Sequence, residues 1–297
     1  ILASHKRSFN RSPKPEAREA APHGGASGPR PAAHSMEPMK RTCRSIALGL
    51  VLPALALLLW EIAPRRGWIE AHVLPPASAV ARYLQESVRD GSLWNHLGIT
   101  LARLAQGFLA GAVTATVFGL VAGISRAGFE LFDPTIQALR AIPSLAWVPL
   151  FLIWLGINEL SKVVLIAVGA FFPVYLNLTA GIRDVDRKLI EVGRIHRLSR
   201  IGIISRIIFP AAMPAFLTGI RGGLGLAWMF VVAAELIGAS EGLGFLLDFG
   251  RNTTRPDIIL ASILLFAVLG KSSDGLLVWL ERRLLRWQDT LGSRARE

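Results

Sequence analysis

The chain has 297 residues, of which 52% are hydrophobic and only 18% charged, and its mean hydropathy is +0.45; a soluble domain would carry about a quarter charged residues, so much of this chain meets lipid. Its 33 lysines and arginines against 21 acidic residues give a net charge of +12, which fits the cytoplasmic loops of a membrane protein and not nucleic-acid binding, because no DNA-binding motif or interleaved aromatic patch accompanies it. A single cysteine, Cys43, excludes an internal disulfide and a thiolate metal site, and the six histidines are scattered without ligand spacing.

Residues 1–35 are rich in Pro, Gly, Ala, Ser, Lys and Arg. They bury too little apolar surface to offset their chain entropy, so a disordered tail is expected. The sequence opens on Ile1, and Met36 and Met39 stand just ahead of the first apolar run. A native start at one of them is expected; a basic tail lying on anionic lipid is the alternative.

Crossing the hydrocarbon core takes about 20 mostly apolar residues. The first such span is predicted at 46–63, within a segment of flanks and helix at 36–72. A Pro-Pro turn at Pro75 and Pro76 then precedes a short amphipathic helix over 78–88, closed by Asp90 and Gly91. Further spans are predicted at 101–124, 134–155, 163–181, 214–238 and 258–280. Small residues recur four apart at Gly107/Gly111, Gly119/Gly123 and Gly219/Gly223, a spacing that lets helix backbones approach closely in lipid. The fold class predicted is thus all-α, a polytopic bundle of about six transmembrane helices. Arg and Lys are denser in the 183–210 segment and in the two tails than in the opposite loops. Both termini are therefore expected in the cytoplasm, with 288–297 a cytoplasmic tail.

The segment from Arg183 to Pro210 is patterned rather than a plain connector. Asp184 and Asp186 are candidate N-caps for a helix through Arg194, and Ser199 for a second helix that Pro210 would end. Val192, Ile195 and Leu198, then Ile201, Ile204 and Ile207, recur at helical spacing. Two short amphipathic helices at the cytoplasmic surface are expected, and a lipid-surface anchor is the simpler use of such a pair.

Glu191 to Pro210 resembles the signature loop of binding-protein-dependent ABC importer permeases: Glu-Ala-Ala, a Gly six residues after the Glu, then Ile-x-Leu-Pro. Glu191, Ile207 and Pro210 match, and Phe209 stands for the Leu. Val192 and Gly193 replace the alanines, and Arg197 stands where the turn glycine belongs. That glycine permits a tight, left-handed turn, so Arg197 predicts a different turn or a reshaped loop. Thr100-Leu-Ala-Arg-Leu-Ala-Gln-Gly-Phe, Ala141-Ile-Pro-Ser-Leu-Ala-Trp-Val-Pro-Leu, Gly225-Leu-Ala-Trp, Ala234-Glu-Leu, Gly242-Leu-Gly and Trp279-Leu-Glu-Arg-Arg are similar to the nitrate/sulfonate/taurine branch of that family. The resemblance covers roughly 73–287 and implies a type I importer permease domain there, with a cytoplasmic coupling loop at 183–213. It implies two permease subunits as a homodimer, an ABC ATPase subunit receiving the loop, and a periplasmic or lipid-anchored binding protein delivering substrate. Glu191, Val192, Gly193, Arg197, Ile207 and Pro210 would then act mechanically in coupling. ATP would be used by the partner, leaving this chain without catalytic residues or a cofactor of its own.

Charges inside spans are costly and often functional. Arg140, Arg221, Glu235, Lys271 and Asp274 are such charges. Lys271 and Asp274, three apart, are expected to pair. Arg221, Trp228 and Glu235 are the candidate substrate-pathway residues, with Arg221 meeting an anion if the substrate is one. Gly270-Lys271-Ser272 ends like a phosphate-binding loop, but the position of that motif's first glycine holds Leu265. The competing reading is a secondary transporter or channel driven by an ion gradient, which predicts paired half-repeats with broken midplane helices; no clear repeat is visible. A membrane-embedded enzyme would need a catalytic constellation at span depth, and none stands out.

Overall fold

A computed structural model describes residues 37–287, with the backbone alone for 37–50. The tails expected at 1–35 and 288–297 lie outside the described residues. The chain divides into two units, residues 1–53 and 54–297. The described part of the first is the opening of one helix, and the remainder of the fold belongs to the second.

Every regular element among the described residues is helical. Helix α1 (Glu37–Arg65) contains the first predicted span. Its last turns reach the start of α2 (Ala77–Arg89): Glu61 accepts from the Ser78 amide at 2.9 Å, Arg65 donates to the Ser78 hydroxyl, and Trp60 donates to the Pro75 carbonyl. A carboxylate borrowed from α1 therefore satisfies one orphan amide of α2, whose own N-cap is Pro76. Gly91 turns the chain with φ +80 into α3 (Ser92–Ile124). There the hydroxyl and amide of Ser92 hold the Asp90 carboxyl below its ordinary range. Ser125 caps α4 (Arg126–Ala141), accepting from the Gly128 amide.

The third predicted span is not one helix. Ile142 precedes Pro143 and is held extended, with ψ 125, because the proline ring excludes the helical region for the residue before it. A 3₁₀ turn at Ser144–Ala146 and a short α5 (Trp147–Leu155) follow, and Gly156 ends it at φ +75. Asn158 caps α6 (Glu159–Arg183), accepting from the Ser161 amide at 3.0 Å.

Beyond α6 come α7 (Arg187–Ile195) and α8 (Arg200–Ile203), then a π-turn at Ile204–Ile208 that opens directly into α9 (Phe209–Leu236). Pro210 thus does not end a helix. Its ring would meet the carbonyl of residue 206 in a regular α-turn; the wider π-turn sits at that place and lets the axis continue. From Arg200 to Leu236 the chain runs 37 residues as one rod, about 55 Å at the α-helical rise. After α10 (Leu243–Asn252), helix α11 (Pro256–Leu284) completes the described chain. Four described helical stretches are long and apolar enough to cross a membrane: α3, α6, the α8–α9 rod and α11.

Helix α6 is central, packed against α3 on one side and α9 on the other. Leu165, Ile166 and Ala170 of α6 meet Leu104 of α3 and Leu224, Ala227 and Phe230 of α9, all buried. The paired glycines predicted from spacing lie in these seams. A Cβ on Gly107 would fall 2.5 Å from Cβ of Ile166, and one on Gly223 would fall 3.0 Å from the Ala170 carbonyl. Between helices immersed in lipid this close backbone approach supplies the packing that the hydrophobic effect supplies in water. Leu109, Val113 and Val117 face outward on α3, as do Leu264 and Val268 on α11.

Candidate functional site

The loop between the rods is a helix, a tight turn and a helix. Asp186 accepts from the Lys188 amide at 2.9 Å and opens α7. At the far end the Arg197 amide donates to the Arg194 carbonyl, and the Leu198 amide to the Gly193 carbonyl at 3.0 Å. These two bonds, with Arg197 at φ +55, make a Schellman motif. Ser199 then accepts from the Gly202 amide and opens α8.

The expected departure at Arg197 is therefore corrected. The left-handed turn is kept, and Arg197 bears it in place of a glycine, at about 1–2 kcal/mol for the crowded Cβ. Gly193 has its own reason: a Cβ there would fall 2.5 Å from Cδ1 of Ile207. Its bare backbone lets Ile207, and Leu198 beside it, fold down on α7. Ile203 also packs toward Gly193, while other apolar residues of the loop are exposed. Val192 is half-exposed, while Ile195 and Ile201 are 78% exposed, and Glu191 is exposed on the same short helix. Pro210 lies one turn further on, in the rod itself.

At the opposite end of α9, Glu235 is 1% exposed and fully bonded. It accepts from Thr100 Oγ1 at 2.9 and 3.0 Å, from Arg103 Nη1 at 2.9 Å and from the Gly244 amide at 2.8 Å. Arg103, itself 6% exposed, grips Glu159 with Nε and Nη2 at 2.6 and 2.7 Å and donates to the Glu241 carbonyl at 2.7 Å. Lys162 adds a bond to Glu159 at 2.8 Å. Two buried cations thus face two carboxylates, and the group ties together α3, α6, α9 and the start of α10. The Leu243 amide donates to Thr100 Oγ1, and the Gly242 amide to His96 Nδ1. Glu235 also sits at the N-terminus of α10, where the helix dipole favours a negative charge. The glycines of Gly242-Leu-Gly are explained by this carboxylate. A Cβ on Gly242 would lie 2.5 Å from Glu235 Oε1, and one on Gly244 2.5 Å from Glu235 Cβ.

Glu235, expected along the substrate path, is 1% exposed and its carboxylate is taken up by Thr100, Arg103 and the Gly244 amide. Arg103, Glu159, Lys162 and Thr100 were missed as functional candidates. The signal was present: a lone arginine inside the apolar run of 101–124 demands a buried partner.

The remaining pathway candidates lie between α9 and α11. Arg221 grips Asp274 with Nε at 2.5 Å and Nη2 at 3.0 Å, and remains half-exposed. The expected Lys271–Asp274 pair is present as well, but it is the longer of the two: Lys271 Nζ stands 3.9 Å from Asp274 and is 85% exposed. Trp228 donates to the Ser273 hydroxyl at 2.9 Å and meets Phe266 edge-on.

An all-helical bundle of apolar rods, with a charged clamp at one end and a capped helix–turn–helix at the other, has the anatomy of a type I ABC importer permease. Residues 115–286 match the binding-protein-dependent transport system inner membrane component family, and the chain belongs to that family. It is 43% identical over 242 residues to a protein of Bacillus subtilis described as an aliphatic sulfonates transport permease, covering 82% of this chain and 88% of that one. It is 33% identical over 249 residues to the taurine transport system permease of Escherichia coli, covering 82% and 90%. The nitrate import permease of Synechocystis is 34% identical over 192 residues, 65% of this chain and 70% of that one. The chain thus falls in the sulfonate/taurine/nitrate branch. The fold resembles that of an amino acid ABC transporter chain, with a TM-score of 0.56 and 18% identity over 67% of this chain and 97% of the other. A chain of the MetNI methionine transporter gives a TM-score of 0.52 over 65% and 96%.

Arg103→Ala is expected to cost about 3–5 kcal/mol, because it strands Glu235 buried and unpaired. Thermal unfolding followed by size-exclusion fluorescence checks this; a variant as stable as the parent would show that the clamp holds nothing. Arg197→Gly is expected to strengthen the loop by about 1 kcal/mol, seen as slower hydrogen exchange at the Leu198 amide. Faster exchange would mean that the arginine side chain contributes more than its backbone loses.

Proposed function

We propose that this chain is the pathway-forming subunit of an ATP-driven importer for a small anion, such as an aliphatic sulfonate, taurine or nitrate. It works as a homodimer in the bacterial inner membrane, with both termini in the cytoplasm. A separate ABC ATPase supplies the energy, and an extracytoplasmic binding protein supplies the substrate. The observation that carries this reading is the α7–α8 turn. It presents Glu191, Val192, Ile195 and Ile201 outward on a capped and internally braced hairpin. A surface anchor has no need of a fixed left-handed turn, whereas a piece that is gripped and pushed by a partner does.

The substrate class is supported by the named relatives and by charge. Arg221 and Lys271 bring two cations to a half-exposed α9–α11 face that also carries Asp274 and, near Arg221, Glu281, and charges within apolar helices require water or a partner nearby. Trp228, two turns along α9, continues that face.

Co-purification with the ATPase encoded beside this gene should give a stoichiometric complex, and Glu191→Ala should weaken it. Absence of the ATPase in mild detergent, with both proteins folded, would leave the loop as a surface anchor. Arg221→Ala should raise the apparent KM for the anion about ten- to hundredfold, since losing a charge-assisted contact costs about 1.5–3 kcal/mol. Full transport with unchanged apparent affinity would remove Arg221 from the pathway.

A further inference from the structure

At the end of α3 and α6 remote from the Glu235 clamp, a cleft of about 650 Å³ opens between α3, α4 and α7. Its lining joins three arginines, Arg126, Arg183 and Arg187, to the apolar side chains of Ile124, Ile182 and Ile190. One carboxylate, Glu130, also lines it and pairs with Arg126 at 2.8 Å. The Arg183 guanidinium lies over the Phe129 ring, 3.8 Å from its centre. Three arginines against one glutamate leave the cleft with two positive charges. Arg187 stands in the first turn of α7, where the helix dipole disfavours a cation. The helix itself therefore gives no reason for its place; an anion seated among the three guanidiniums does.

We propose that this cleft binds an acidic phospholipid, its phosphate among the arginines and the start of its acyl chain against the isoleucines. The proposal rests on the cytoplasmic placement of these helix ends given above. A lipid is favoured over a free anion by the apolar half of the lining. That half continues along α3 through the exposed side chains of Val121 and Val117, one helical turn apart, as an acyl chain would run. Basic clefts between helices at the cytoplasmic face suit such headgroups. Because α7 forms one wall, the bound lipid braces the base of the coupling loop, and transport through this subunit becomes sensitive to acidic lipid.

The test is native mass spectrometry of the purified full-length chain exposed to equal amounts of phosphatidylglycerol and phosphatidylcholine. The parent should retain phosphatidylglycerol preferentially. The double variant Arg126→Gln/Arg187→Gln, both sites exposed, should lose about fivefold of that preference per arginine. Arg282→Gln/Arg283→Gln at the end of α11 should leave it intact. No preference in the parent, equal loss in the α11 control, or displacement of the lipid by inorganic phosphate would each overturn the proposal. Labelling of Arg187→Cys in a Cys43→Ser background separates the two levels of the reading. Reaction with an impermeant maleimide in intact cells would overturn the cytoplasmic placement itself. Protection there, together with no lipid preference, would overturn the lipid site alone.

Discussion

A guanidinium inside an apolar helix bundle has to be neutralised, and Arg103 is the residue around which one end of this protein is arranged. Its fork takes both oxygens of Glu159, one of Glu235 and the carbonyl of Glu241. A clamp of this kind adds little net stability over a well-packed apolar core, but losing one partner is severe. It therefore acts as a register pin. The ends of α3, α6 and α9 meet in one way only, because only one way pairs every buried charge. The loop after α9 is shaped by the same group: Gly242 and Gly244 are bare because the Glu235 carboxylate occupies the space beside them.

The clamp and the α7–α8 turn are joined by one element. The rod from Arg200 to Leu236 begins at the Ser199 cap and ends one residue after Glu235. In the importer reading, a push delivered to the α7–α8 turn travels along this rod to the clamp with no loop in between. The π-turn at Ile204–Ile208 is the place where the rod departs from regular geometry, and such turns commonly mark points of compliance. Rigid transmission with a local give near the driven end suits a bundle that switches between two packings.

Much of this was legible in the sequence because lipid imposes simple rules. Apolar length located the spans, small residues four apart located the α3–α6 and α6–α9 seams, and Asp186 and Ser199 marked their helix starts. Three features were not read correctly, each for a local reason. The proline at 143 broke a span that hydropathy alone makes continuous. Pro210 looked like a stop because a π-turn leaves no sequence signature. Arg197 looked incompatible with the signature turn because the left-handed preference of glycine is strong, yet the Schellman bonds to Gly193 and Arg194 hold an arginine there. The clamp was half visible: Glu235 stood out as a charge, but its partners Thr100 and Arg103 come from α3, separated from it by 135 and 132 residues in the chain, a pairing that no local pattern encodes.

This chain is proposed to move an anion at the expense of ATP consumed by a partner. The most direct measurement is uptake of a labelled aliphatic sulfonate into proteoliposomes holding this subunit and its neighbouring ATPase, with the binding protein outside and ATP inside. Uptake should require ATP, the ATPase and the binding protein together. Uptake driven by an ion gradient in liposomes holding this chain alone would contradict it.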